Sequence, residues 1–232
     1  MKFAKQTFEN LICNSSPLIL TGREYSYCTF LNCRISCVSD GLLNNRHIIR
    51  DVAVNNCTQD RCSVSGAIIE DAVIDNLNSA SLLRLHGVAL KHVVLRGKIS
   101  DLLITSRLAP LPRLAQSAMD IHQAANEKYY TSVDWALDIS NLACNELDVR
   151  WIPAALIRTN PETQAVVSST RLSHVDWRSI PAAVKFFSVT FQWLEEGYLA
   201  DSVILAPLLK ANWKDYVVAI RELRTAGLAE PA

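Results

Sequence analysis

The residue types best suited to catalysis stand together in one run of this chain, Ser173-His174-Val175-Asp176. A hydroxyl nucleophile, an imidazole base and a carboxylate are the three groups of a hydrolytic relay. Neighbouring side chains of an extended segment point in opposite directions, so Ser173 and His174 cannot form that relay locally. The run is therefore interpreted as a polar loop that leads to Trp177.

Two carboxylates suggest a second possible chemistry. Asp134 and Asp138 lie on one face of a predicted strand, where they could hold a metal ion or act as an acid and base pair. Apolar and polar residues alternate along this strand, so the same two aspartates also fit a solvated face opposite Trp135. An enzyme whose site lies near Asp134, Asp138 and His174 stays open as an alternative.

The cysteines do not follow the spacing of a metal site. Six of the seven lie within the first 62 residues, and no Cys-x-x-Cys pair occurs in the chain. A zinc site would have to join Cys33 and Cys37 with Cys28 or His47, although structural zinc sites usually show tighter ligand pairs. We expect no metal and no cofactor, and reduced cysteines that act as compact apolar groups.

Composition argues against several classes of protein. The 23 basic and 23 acidic residues cancel, which removes the overall electrostatic argument for binding nucleic acid or an anionic membrane. The closest two glycines, Gly87 and Gly97, are ten residues apart, whereas loops that bind phosphate need clustered glycines. No stretch approaches the roughly 18 apolar residues of a membrane span, and Glu9 precedes any signal-peptide core. We expect a cytoplasmic protein whose partner is another protein.

The first hundred residues carry an apolar rhythm with a period of five. The rhythm starts at Phe8 and continues to Val93, with slips of one position before Val52 and before Leu83. A second apolar row follows two positions later. Neither a helix nor a flat strand repeats in this way, but a chain that turns a corner every five residues does. The small residues of the first row include Cys28, Cys33, Cys62, Ala67, Ala72, Val88 and Val93, and the bulky residues of the second include Phe30, Ile35, Val64, Ile69, Ile74, Leu90 and Leu95.

Units such as CTFLN, CRISC, AIIED and VALKH have a small residue first and a bulky one third. In this respect residues 8 to 103 resemble the pentapeptide-repeat family. The resemblance implies a right-handed quadrilateral β-helix in which both rows point inward. Polar residues stand at bulky positions at Asp40, Asn45, Arg50 and Gln59. The segment from Ser39 to Asp60 is therefore expected to bulge or loop out.

We predict a mainly β fold combined with an α+β unit, divided into three parts. Residues 1–106 form the pentapeptide-repeat-like β-helix, residues 107–129 form a linker and cap helix, and residues 130–232 form a small α+β domain. The order within the last part is three strands, a helix, a strand and a helix. Its predicted elements are strands over 133–140, 147–151, 164–168 and 202–206, and helices over 182–196 and 213–225. The strand over 164–168 is expected to close a hairpin, and the apolar face of the first helix contains Val184, Phe187, Phe191 and Leu194. In the cap helix, the apolar residues at helical spacing are Leu114, Ala118, Ile121 and Ala125.

All five tryptophans lie in the C-terminal part, and tryptophan is enriched at binding hot spots. Three of them fall on faces predicted to point inward, which leaves Trp177 and Trp193 as candidate interface residues. We therefore expect a non-catalytic bacterial interaction scaffold, either an inhibitor or immunity-type protein or a regulatory binding protein. The family resemblance implies one alternative, a DNA mimic that protects topoisomerases, but that role needs an acidic column and the residues before Ile104 carry a net charge of +2.

Overall fold

A computed structural model describes residues 1–14, 18–36, 46–109 and 115–230 of the chain. Parallel strands make up most of this part. The strands are β1 (Lys2–Ala4), β2 (Thr7–Glu9), β3 (Ile12–Cys13), β4 (Ile19–Ser26), β5 (Thr29–Leu31), β6 (Arg34–Ser36), β7 (His47–Asp60), β8 (Ser63–Ser65), β9 (Ala67–Ser79), β10 (Leu83–His86), β11 (Ala89–Ile99), β12 (Asp101–Thr105), β13 (Leu137–Asp138), β14 (Leu142–Ala143), β15 (Glu146–Arg150), β16 (Ile157–Arg158), β17 (Gln164–Ser168) and β18 (Asp201–Leu205). The α-helices are α1 (Gln116–Tyr130), α2 (Ser169–Leu172), α3 (Pro181–Glu195) and α4 (Trp213–Thr225).

Two large sheets contain sixteen of these strands. The ten-stranded sheet follows the path β1-β4-β7-β9-β11-β13-β16, with β2, β5 and β14 paired off this path. The six-stranded sheet has the order β15-β12-β10-β8-β6-β3. Each ladder described in these two sheets is parallel, and the chain between partners ranges from about twenty residues, as where His47 pairs with Ala67, to more than forty, as where Leu102 pairs with Leu147. Strands β17 and β18 form a separate antiparallel pair.

The predicted fold class, a quadrilateral β-helix followed by a small α+β domain, is wrong. The structure is a large, mostly parallel β-sheet fold of α/β type, with ten strands in one sheet and six in the other. A rhythm of five indicates which side chains face inward, but it does not determine how hydrogen bonds join strands into sheets. Residues with positive φ, such as Asp51 and Asn56, bend the 14-residue strand β7 without ending it.

The sheets also continue beyond residue 106. Leu137 pairs with Val93 of the ten-stranded sheet, and β15 pairs along its full length with β12 of the six-stranded sheet. Residues 137–158 therefore extend the same two sheets, although the sequence assigned them to the C-terminal part. The division into three independent units at residues 106 and 130 stays a prediction.

The two predicted apolar rows lie in one core between the sheets. Ala67, Val88 and Leu90 are fully buried there, and the half-buried Phe30 packs against this cluster. Gln59 lies at an inward position of the second row, because it pairs with Phe30 of that row on one side and with Ser79 on the other. The prediction that residues 39–60 loop out is therefore wrong for residues 47–60, and its remaining part at residues 39–45, with Asp40 and Asn45, lies outside the described residues.

A second core lies among residues 165–229, where α3 and α4 pack on the β17–β18 pair. Three of the sequence expectations for this region need correction. The strand predicted over 133–140 is limited to Leu137–Asp138, and β17 pairs with β18 instead of closing a hairpin with an earlier strand. Val184 was predicted to face inward but is 46% exposed, since α3 has non-helical backbone angles at Phe187 that change its register.

Candidate interaction site

The residues predicted as a possible catalytic group do not meet one another. Asp134 meets His92 instead, with 2.7 Å between its Oδ1 and His92 Nε2. The other ring nitrogen of His92 lies 3.1 Å from Asp71 Oδ1, and the ring packs on Trp135 with centroids 4.7 Å apart. The hydrogen bond to Asp134 is the main cause that raises the pKa of His92, and the same bond lowers the pKa of Asp134.

This arrangement favours the protonated form of the imidazole. A histidine with both nitrogens hydrogen-bonded to carboxylates can accept no proton from a substrate. The hydrogen bond between His92 and Asp134 instead links β11 to the loop that follows α1. Asp138 accepts hydrogen bonds from the backbone N–H and the hydroxyl of Ser140, and His174 is exposed. Within the described residues no hydrogen bond joins Asp134, Asp138 and His174, so the geometry gives the enzyme alternative no support.

The two candidate interface tryptophans have different surroundings. Trp177 is only 7% exposed and stacks on Phe191 with centroids 5.7 Å apart, so this indole contributes to the second core and does not suit an interface. Trp193 is half-buried, and the guanidinium carbon of Arg150 lies 4.2 Å from its ring centroid. Trp193 thus borders the outer side of the six-stranded sheet.

A group of basic residues occupies that outer side. Alternate residues of a strand face opposite sides. On β10 the core residue Leu85 points inward, so its neighbours Arg84 and His86 point outward. The ladders align five strands into two outward rows. The first row contains Arg34, Ser63, Arg84, Leu103 and Asp148, and the second contains Ser36, Ser65, His86, Thr105 and Arg150. We call Arg34, Arg84, His86 and Arg150 the basic face.

The two rows of the basic face contain more basic than acidic side chains. Arg34 and Arg84 are exposed and two strands apart, which is about 10 Å. Asp148 is the one acidic residue in the described part of the two rows, and Arg150 Nε donates to both of its oxygens at 2.9 Å. Burial lowers the pKa of His86, and the positive charges of Arg84 and Arg150 lower it further.

In the charged rows of the ten-stranded sheet, each acid lies directly beside a base. Glu70 lies between Arg50 and Lys91 and accepts from Arg50 Nε at 2.7 Å. In the next such row, Arg96 Nε donates to Asp75 at 2.8 Å. Each of these acids is neutralised by a base on a neighbouring strand, so these rows provide neither an acidic stripe nor a basic one.

Sequence reasoning missed the basic face because its residues are distant along the chain. Arg34 and Arg84 are fifty positions apart. The register brings them into one row, with Ser63 between them. Writing the sequence in lines of about twenty residues would have aligned Ser63 and Arg84, but not Arg34, because the spacing from Arg34 to Ser63 is longer.

Two kinds of site are not found among the described residues. No three His, Cys, Asp or Glu side chains in that part of the chain lie close enough to hold a metal ion. None of its helices combines the length and the apolarity that a membrane crossing requires. The resemblance to the pentapeptide-repeat family stays a prediction, because no family model matches the chain and no curated protein is similar to it in sequence.

Proposed function

We propose that this chain is a non-catalytic interaction scaffold that binds an acidic surface of a partner protein through the basic face. One observation carries the proposal. Arg34, Arg84, His86 and Arg150 lie in two adjacent outward rows whose one described acid, Asp148, is already bonded to Arg150, and the acids of the same face, Asp101 and Glu146, pair with each other in the next row. Charge complementarity of this kind speeds association and selects the partner.

The sheet beneath the basic face favours tight recognition. Strands β6, β8, β10, β12 and β15 pair without a shift in register. A surface built on such a ladder is already ordered before it meets its partner, so little conformational entropy is lost on binding. Trp193, stacked on Arg150, places a large aromatic side chain at the border of this surface, where hot spots commonly contain Trp and Arg together.

The number of charges favours a protein partner over nucleic acid. The basic face has four basic residues, one of which is a histidine with a lowered pKa, and the whole chain has no net charge. Proteins that bind duplex DNA strongly through its backbone make about 6–10 phosphate contacts. An acidic patch on a folded protein needs fewer contacts, and we propose a bacterial enzyme or toxin that the scaffold regulates or inhibits.

We propose that binding takes place in the cytoplasm. Cys28, Cys33, Cys57, Cys62 and Cys144 are unbridged thiols, and reduced cysteines are typical of reducing compartments. Burial raises the pKa of Cys57, Cys62 and Cys144, which keeps these thiols protonated and unreactive. Mass spectrometry of alkylated protein from cells tests this, because an oxidised pair among these five cysteines would contradict the proposal.

The test of the function compares three immobilised proteins: the parent, Arg84→Glu and a matched control, Lys98→Glu. Arg84 and Lys98 are both exposed, but Lys98 lies on the ten-stranded sheet. We expect parent and control to retain the same acidic protein from host extract, and Arg84→Glu to lose it. Equal retention by all three, or displacement of that protein by duplex DNA at physiological salt, would overturn the proposal.

A further inference from the structure

The described residues leave the part of the core nearest the N-terminus unfilled. A cavity of about 490 Å³ lies between the two sheets. Its wall is formed mainly by apolar side chains from successive strands of both sheets. The lining includes Phe8, Ile12, Leu20, Tyr25, Phe30, Ile35, Val54, Val64, Ile74 and Leu85. This volume is within the range of small-molecule sites, about 300–1,000 Å³.

Farther along the sheets, the side chains of the same inward rows fill the core completely. Leu90, Leu95 and Ile104 are each 1% exposed or less, whereas Phe30 and Val64, at corresponding inward positions, are only partly buried. Protein cores are normally packed to the density of organic crystals. An apolar interior that is filled at one end and open at the other therefore indicates a place for an apolar ligand.

The polar groups of the cavity restrict the ligand further. Gln59 is already satisfied, since its Nε2 donates to the carbonyl of Ser81 and its Oε1 accepts from the backbone N–H of Cys62. Arg34 is the one charged residue among the described residues that line the cavity. Because its row faces the outer side of the sheet, its exposed side chain stands at the rim of the cavity. Its guanidinium contacts the side-chain oxygen of Asn32 at 3.4 Å, which leaves most of its five N–H donors for an anion.

The cavity extends across several strands of the six-stranded sheet. On the six-stranded sheet its lining extends from Cys13 through Ile35 and Val64 to Leu85, which are aligned on four successive strands. Three strand spacings correspond to about 14 Å. A single medium-length hydrocarbon chain fits this length better than a compact ring system. We propose that the cavity binds a fatty-acid-like ligand, with its hydrocarbon chain between the sheets and its carboxylate at Arg34.

Calorimetric titration with dodecanoate, below its micelle-forming concentration, tests this proposal. We expect one saturable site on the full chain and at least tenfold weaker binding by Val64→Phe, whose phenyl ring would occupy the cavity. The matched control is Val94→Phe, at a half-buried position on the outer side of β11, which should bind like the parent. Absence of saturable binding, or equal binding by Val64→Phe and the control, would overturn the proposal.

A second comparison tests the anionic end and does not depend on a core substitution. Dodecanol has the same chain without the carboxylate, and Arg34→Gln removes the cation at an exposed position. We expect the parent to prefer dodecanoate over dodecanol at least fivefold, and Arg34→Gln to remove that preference while still binding both. A parent that binds the two equally would refute the role of Arg34. Arg84→Glu should bind dodecanoate normally, so this site and the basic face can fail separately.

Discussion

His122 on α1 should make the protein sensitive to acid. The side chain is fully buried, and neither ring nitrogen has a hydrogen-bond partner among the described residues. Burial, and to a smaller extent the positive charge of Arg46, lowers the pKa of His122 from 6.5 to about 4. The folded protein therefore keeps this ring neutral down to a pH at which the unfolded chain has already taken up the proton.

The magnitude follows from the two pKa values. A histidine whose pKa is depressed by folding contributes stability above the unfolded value, and that stability is lost as pH falls. One pKa unit corresponds to about 1.4 kcal/mol. With values of 6.5 unfolded and about 4 folded, the loss between pH 7 and pH 5 is about 2 kcal/mol.

Urea unfolding at pH 7 and pH 5 measures this loss directly. His122→Phe removes the titration but keeps a ring in the same place, so the free energy of unfolding of the variant should fall by about 2 kcal/mol less than that of the parent. The matched control, His174→Ala, alters an exposed histidine and should follow the parent. If parent and His122→Phe lose the same free energy, His122 is not the neutral buried group described here.

Three further outcomes are expected. Ile69→Asp places an unpaired charge at a core position that is 8% exposed, so unfolding by urea should show a loss of about 3–5 kcal/mol, and a parent-like value would refute its inward placement. Arg84→Gln removes a cation that lowers the pKa of His86, so an NMR titration should show a higher pKa, and an unchanged value would contradict that effect of Arg84. An added Cβ at Gly87 would lie 2.4 Å from a leucine side chain, whereas the same addition at Gly22, also with positive φ, meets nothing within 4 Å. Gly87→Ala should therefore lower the melting temperature clearly more than Gly22→Ala, and equal losses would show that this contact relaxes freely.

The sequence was informative where side chains alone decide the structure. The small and bulky rows could be placed in a core, with Ala67 and Leu90 as examples. Apolar residues that recur every five positions point to the same side of a chain that turns every five residues, and that side is the buried one. The sheets could not be derived in this way. Hydrogen bonding between backbones decides how strands assemble, and no residue type marks that long strands such as β7 bend at Asp51 and continue.

Helix α1 shows why a correct element can still have the wrong face assigned. The sequence predicts a helix near residues 114–127 whose inward face contains Ile121. The structure has α1 at Gln116–Tyr130, with Ile121 54% exposed and with His122 and Asn126 buried. Asn126 Nδ2 donates to the backbone carbonyl of Ser106 at 2.6 Å. This hydrogen bond satisfies the Ser106 carbonyl, which follows β12. A hydrophobic pattern does not show which backbone carbonyls lack a partner, so it could not predict that Asn126 faces inward.

The candidate site could not be predicted from the sequence because it also depends on how the strands pair. Trp193 stays a candidate interface residue, and the residues beside it depend on the register of five strands. Asp134 does meet a histidine, yet it is His92 from the ten-stranded sheet, 42 positions earlier, and not His174. Long-range pairing brings chemistry-bearing residues together, and neither their types nor their spacing records that pairing.

The dissociation constant of the captured partner tests the central claim most directly, when it is measured for the parent, Arg84→Glu and Lys98→Glu at the same salt concentration. The account predicts that Arg84→Glu weakens binding at least tenfold, about 1.4 kcal/mol, and that Lys98→Glu matches the parent. Equal dissociation constants for all three proteins would contradict it.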